Sequence, residues 1–182
     1  MKIRSILMVV VAGALVAAAP GAFAQSKGPT DPQIAAIVVT ANQVDIDAGK
    51  LALDKGQSAE VKALAQRMVT DHTKVNQSAT DLVHKLNVTP EPNATSASLK
   101  KGGDENLKHL KGLQGAAFDK AYVAHEVTYH QNVIDALDKA LIPNAQNQEL
   151  KDLLVKVRPA FVAHLEHAKY LQSKLEGTAS GS

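Results

Sequence analysis

His72, His130 and His164 each interrupt an apolar helical stripe, and each falls in a different predicted helix. A neutral imidazole carries one N–H and one lone pair, so a ring aimed at a helix-bundle interior needs partners for both. A transition-metal ion is one such partner, and a closed hydrogen-bond network is another. Glu126 lies four residues before His130 and so shares its helix face. Asp45 falls in the middle of the first predicted helix. His72, Glu126, His130, His164 and Asp45 are therefore the candidate metal ligands. An imidazole-rich set with a carboxylate suits zinc, copper, nickel or iron, and donor type does not choose among them.

The elements that must position these side chains are all helical. Asp31 followed by Pro32 reads as a helix start, with a capping carboxylate and a proline where its missing N–H does no harm. Apolar residues from Ile34 to Ala52 carry the first helix to about Asp54, Gly56 stops it, and Ser58 caps the next. The second helix covers about 58–86, with Val61, Leu64, Met68, His72, Val75, Ala79 and Val83 on one stripe. Residues 87–115 read as a crossover containing two prolines, a Ser/Thr cluster and Gly102-Gly103, with a short amphipathic turn around Glu105–Leu110. The third helix runs from about Ala116 to Leu141. The fourth runs from about Gln146 to Leu175, with Pro159 expected to bend it. No strand pattern occurs. Two short-looped hairpins joined by one long crossover predict an all-α, ferritin-like four-helix bundle over residues 32–176.

A rise of about 1.5 Å per residue tests whether the polar groups meet. Measured from the turn between the third and fourth helices, the five candidates lie roughly 17 to 30 Å up. Side chains lean toward the N-terminus of their own helix, which brings the highest down and the lowest up. All five are expected in one mid-bundle layer. Tyr122, one turn before Glu126, is placed to hydrogen-bond within it. His167 and His125 fall at stripe edges, Asp71 points about 100 degrees away from His72 and reads as a surface carboxylate, and His84 and His109 read as surface residues.

The chain has 182 residues and opens with the pattern of an export signal. Lys2 and Arg4 precede an apolar run from Ile6 to Ala19, and Ala22-Phe23-Ala24 fits a cleavage site before Gln25. The run is shorter than the roughly 18 to 20 residues of a bilayer span. The expected domain plan is a signal peptide at 1–24, a flexible lead-in at 25–31, the bundle, and a disordered tail at 177–182. Export would place the protein in the periplasm or outside the cell, with no transmembrane segment after cleavage. Loss of Lys2 and Arg4 leaves 18 basic residues against 18 acidic ones. A balanced charge without a basic run argues against nucleic acid and anionic membranes as partners, leaving a protein partner or a homo-oligomer. Cysteine is absent, which removes disulfides, thiolate metal sites and thiol catalysis.

Several stretches resemble a family of exported bacterial proteins, domain of unknown function 4142. They are Asp45–Ala52, Val61–His72 ending in Met-Val-Thr-Asp-His, Phe118-Asp119-x-x-Tyr122 leading to His130, and His164. The resemblance covers nearly all of the chain after the signal. It implies an export signal, a ferritin-like four-helix bundle and a stress- or envelope-linked role, but no established reaction. Proteins of that family often carry a membrane-protein label, which an apolar export signal produces by itself. Asp45 stands where the family usually carries Glu. Di-iron ferritin sites need Glu-x-x-His on two helices; Asp71-His72 and His164-Leu-Glu-His167 do not supply it. The set argues against iron oxidation at a carboxylate-bridged pair.

Two readings stay open on the sequence. One is a bundle that binds a single divalent transition ion, in envelope stress or metal handling. The other is a metal-free structural or interaction bundle whose inward His and Glu form a buried hydrogen-bond network. Catalysis has the least support, because no Ser–His–Asp arrangement, glycine-rich phosphate loop or catalytic carboxylate pair is present.

Overall fold

The computed structural model describes residues 28–177. The expected export signal and cleavage site, residues 25–27 and the tail from 178 onward lie outside the described residues. Among the described residues there are helices and no strands. None of these helices is long and apolar enough to cross a membrane.

Helix α1 spans Asp31–Lys55. Its N-cap is Thr30 and not the expected Asp31. Gln33 N donates to Thr30 Oγ1 and Thr30 N donates to Gln33 Oε1, a reciprocal capping box. The expected flexible lead-in is therefore ordered at Thr30. Gly56 ends the helix and Ser58 caps α2, Ala59–Lys85. Asn87 stops α2 in the left-handed region at φ 52°. Around it, Val88 N donates to Val83 O and Asn87 N to His84 O, which satisfies the last carbonyls of the helix.

The crossover holds more structure than its composition suggests. In place of a short turn, α3 spans Ala94–Lys111. Asn93 caps it, accepting from both Thr95 N and Ser96 N. Its buried residues are Ser96, Gly103 and Leu110, spaced seven apart. That narrow seam packs along α1, and a Cβ on Gly103 would sit 2.7 Å from Val44 Cγ2. Small residues let the two backbones approach closely. With α3 on one side and α2 and α4 on others, five consecutive residues of α1, Ile34 to Val38, are buried.

Helix α4 spans Gly115–Ala136 and continues through a π-helical turn, Leu137–Leu141, where an unbroken α-helix was expected. After the turn Ile142–Asn144, α5 runs over Gln148–Gly177 with Pro159 inside it. Helix α5 packs on α4 and α2.

Two aspartates lock the hairpins to each other. Asp119, in the first turn of α4, accepts from Gln57 N at 2.9 Å and Ser58 N at 2.7 Å in the α1–α2 turn. Asp31, at the start of α1, accepts from Gln146 N at 2.9 Å and Asn147 N at 2.8 Å before α5. Each hairpin thus clamps the turn of the other. The residue read as a cap for its own helix serves a distant one.

Two substitutions test the α1–α3 seam. Gly103→Val should cost about 1 to 3 kcal/mol by overpacking against Val44. Gly102→Ala, which meets nothing within 4 Å, should gain up to about 1 kcal/mol of helix propensity. Urea denaturation of both variants separates close approach from generic glycine flexibility. For the clamps, Asp119→Ala strands two backbone donors and should cost about 1 to 3 kcal/mol. Asp31→Ala should cost less, since its bonds are more exposed. Equal losses in thermal melts would contradict this ranking.

Candidate metal centre

The apolar core is divided. One cluster, including Ile37, Val75, Ile134, Leu154 and Phe161, fills the end nearer the α4–α5 turn. The other, including Ala48, Met68, Phe118, Tyr122 and Leu171, fills the opposite end. Between them lies a layer of polar side chains from four helices: Asp45 of α1, His72 of α2, Glu126 and His130 of α4, and His164 of α5. Each is no more than 2% exposed. All five predicted candidates therefore meet. The three imidazole centroids form a near-equilateral triangle, with sides of 5.4, 5.3 and 5.3 Å.

Hydrogen bonds at the rim of the layer fix the proton positions. Asn42 Nδ2 donates to Val38 O at 2.8 Å, and a carbonyl can only accept, so the amide oxygen faces the other way. That oxygen takes the Nδ1–H of His72 at 2.7 Å. His130 donates its Nδ1–H to the Glu126 carbonyl at 3.0 Å. His164 Nε2 lies 3.0 Å from Asp71 Oδ2, a carboxylate that accepts its proton. Each ring thus has one nitrogen tied outward to oxygen. His72 Nε2, His130 Nε2 and His164 Nδ1 remain for the interior. One ligand atom from each of the three rings lies within 4.8 Å of the others, and the same holds for Asp45, Glu126 and His130.

Protein atoms do not complete this interior. His72 Nε2 and His130 Nε2 face each other at 3.3 Å. His72 Nε2 is 2.6 Å from Asp45 Oδ2. Both oxygens of Asp45, both of Glu126, His164 Nδ1 and Tyr122 Oη are buried without a protein hydrogen-bond partner. Tyr122 turns its hydroxyl toward the Glu126 carboxyl, as expected, without a well-formed hydrogen bond. Each such group costs about 1 to 3 kcal/mol. A small cation among them would satisfy several at once, so the donor set fits a metal ion.

The electrostatics separate the two carboxyls. Burial alone would push the Asp45 carboxyl up, but the charge and contact of His72, with His130 behind, hold it well below the usual carboxylate range. Burial, then the Asp45 charge, pushes Glu126 well up. The surroundings thus favour the ionised form of Asp45 and the protonated form of Glu126. Burial, aided by the His130 and His72 charges, lowers the His164 pKa to about 4 against the pull of Asp71.

Two members of the site were not found from sequence. Asp71 is not a free surface carboxylate. Its side chain is 32% exposed, and it holds His164 while pairing with Arg67 at 3.6 Å. Its place beside His72, on the edge of α2 toward α5, was the available signal. Asn42 carried a signal too, as a buried amide three residues before Asp45 on one face. His125 lies at the bundle edge, stacked on Tyr129, and His167 is half-buried. His84 and His109 are exposed.

Fold and site together define an all-helical protein with a buried imidazole–carboxylate layer. The chain belongs to the family described as domain of unknown function (DUF4142), which matches residues 15–171. Among solved structures it is similar to CopM in the Cu(II)-bound form, with 17% sequence identity and a TM-score of 0.61. The match covers 80% of this chain and 97% of that one. At this identity the likeness is one of fold. No curated protein sequence matches the chain.

The lowered His164 pKa sets the pH response of the metal-stripped protein. A histidine whose folded pKa lies below its unfolded value of 6.5 binds fewer protons when folded, so acid favours unfolding. Its contribution is complete above pH 6.5 and is lost as pH falls toward about 4. Burial lowers the His125 pKa as well, which adds to the same trend. Asp71, Arg67 and His72 of α2 and His130 of α4 are the groups facing His164. Thermal melts in chelator should fall across this window, and His164→Gln should flatten part of the slope. An unchanged slope would count against a neutral buried His164.

Proposed function

We propose that this protein binds one divalent transition-metal ion at the mid-bundle layer, through His72, His130 and His164 with Asp45 or Glu126, and that it serves metal handling or stress protection in the cell envelope. The observation that carries this reading is the arrangement of the three rings. Each has its outer nitrogen fixed to an oxygen, of Asn42, the Glu126 backbone or Asp71, and its inner nitrogen turned to the centre of the layer, where His164 Nδ1 has no protein partner and His72 Nε2 and His130 Nε2 face each other. Outer partners of this kind orient metal-binding histidines and set their tautomers. Copper is the first ion to test, because CopM, which shares the fold, was captured with Cu(II); zinc, nickel and iron suit the same donors. Export with cleavage after Ala24 would put the site in the periplasm or outside the cell.

The metal-free reading has one specific support, the 2.6 Å approach of His72 Nε2 to Asp45 Oδ2. A proton there would pair the two groups without any ion. The bundle would then act through contacts with a protein partner or a second copy.

Elemental analysis and metal titration of the purified protein separate the readings. One equivalent of metal is expected, lost in both His72→Ala and His164→Ala. Asp71→Asn should keep the stoichiometry and weaken affinity about 10- to 100-fold. At a hundred times Kd the ion should add about 2.7 kcal/mol of stability. Affinity should fall as pH drops below about 6, because protonated imidazole cannot ligate. A protein that purifies without metal, and melts at the same temperature with copper, zinc, nickel or iron, would favour the network.

A further inference from the structure

Beside the polar layer lies a cavity of about 560 Å³. It is bounded by all five helices and by Gly28-Pro29 before α1, and His72, with Phe161 stacked at 5.0 Å on its ring, stands at the inner end. We infer that this cavity is a binding site for a single neutral, largely apolar organic molecule with one hydrogen-bonding end.

Three observations carry the inference. The recess opens to solvent on its outer side, so it is a cleft and not a packing void. Its volume falls in the roughly 300 to 1,000 Å³ range of small-molecule sites. The lining is apolar over most of its extent, from Ile37 and Leu99 to Leu137 and Val157, and contains no Lys, Arg, Asp or Glu. A charged ligand would be stripped of water there without a counter-charge, which selects a neutral one. The polar atoms toward the inner end are engaged already: Asn42 accepts from His72, and Tyr129 Oη donates to Ala41 O at 2.8 Å. The uncharged Thr95 and Asn132, both exposed, mark the outer edge, where a hydrogen-bonding end group would sit. The apolar body would then run inward toward Phe161. Helix α3 supplies one wall, which gives the crossover helix a role beyond covering α1.

The inference does not depend on a metal ion, so its test is run in chelator. N-phenyl-1-naphthylamine is neutral and fluoresces on leaving water; 1-anilinonaphthalene-8-sulfonate differs from it chiefly by one sulfonate. Titration of the exported protein should give saturable one-to-one binding of the neutral probe, at least tenfold tighter than of the anionic one. Ala136→Phe and Val133→Trp, which fill the cavity from α4, should each weaken neutral-probe binding at least tenfold. Their helical circular dichroism should be unchanged, and two variants guard against either failing to fold. Non-saturable binding, equal affinity for the two probes, or full affinity in both folded filled variants would overturn the inference. Probe uptake that rises only with self-association, followed by light scattering on the same samples, would assign the cavity to a second copy and also overturn it. Metal stoichiometry is measured separately, so either reading can fail alone.

Discussion

The structure is organised around the expense of keeping five ionisable side chains in a dry layer between two apolar halves. Buried charges are tolerated only when paired, and buried polar atoms only when bonded. Here the first condition is met by opposition: His72 and His130 favour the ionised form of Asp45, while burial, and Asp45 after it, favours the protonated form of Glu126. The second is met only on the outside of the layer, through Asn42, the Glu126 carbonyl and Asp71. At its centre His164 Nδ1 and the Asp45, Glu126 and Tyr122 oxygens lack well-formed protein hydrogen bonds. That imbalance between a finished rim and an unfinished centre distinguishes the layer from an ordinary polar core.

Such a layer works only if four helices stay level with one another. A slip of one residue moves a helix by about 1.5 Å, enough to part contacts of about 3 Å. The two aspartate clamps resist that slip at opposite ends, since each ties the first turn of one hairpin to the loop of the other. The Phe-Asp-x-x-Tyr motif therefore divides its labour. Asp119 fixes register, while Phe118 and Tyr122 close the apolar cluster on one side of the layer.

Most of the layer was legible in the sequence because helical periodicity says which residues point inward, and rise per residue says how high they stand. That arithmetic brought Asp45, His72, Glu126, His130 and His164 together correctly. It failed where a residue acts across the bundle instead of along its own helix. Asp71 leaves the stripe of α2 yet reaches His164 on α5, and Asp31 leaves its own helix end for Asn147. Helix α3 failed for a different reason. Ser, Thr and paired glycines have poor intrinsic helix propensity, and its buried seam of Ser96, Gly103 and Leu110 is too narrow and too small to register as an apolar stripe. Tertiary contact with α1 outweighs local preference there.

The run of five covered residues at the start of α1 has a consequence for how this sequence can drift. A helix lapped by neighbours on several sides offers no outward face on which polar replacements go unnoticed. The outer faces of α2 and α5 are polar and exposed, and tolerate more exchange. The segment from Ile34 to Val38 is limited to compact aliphatic side chains at every position, whatever the layer beneath it binds.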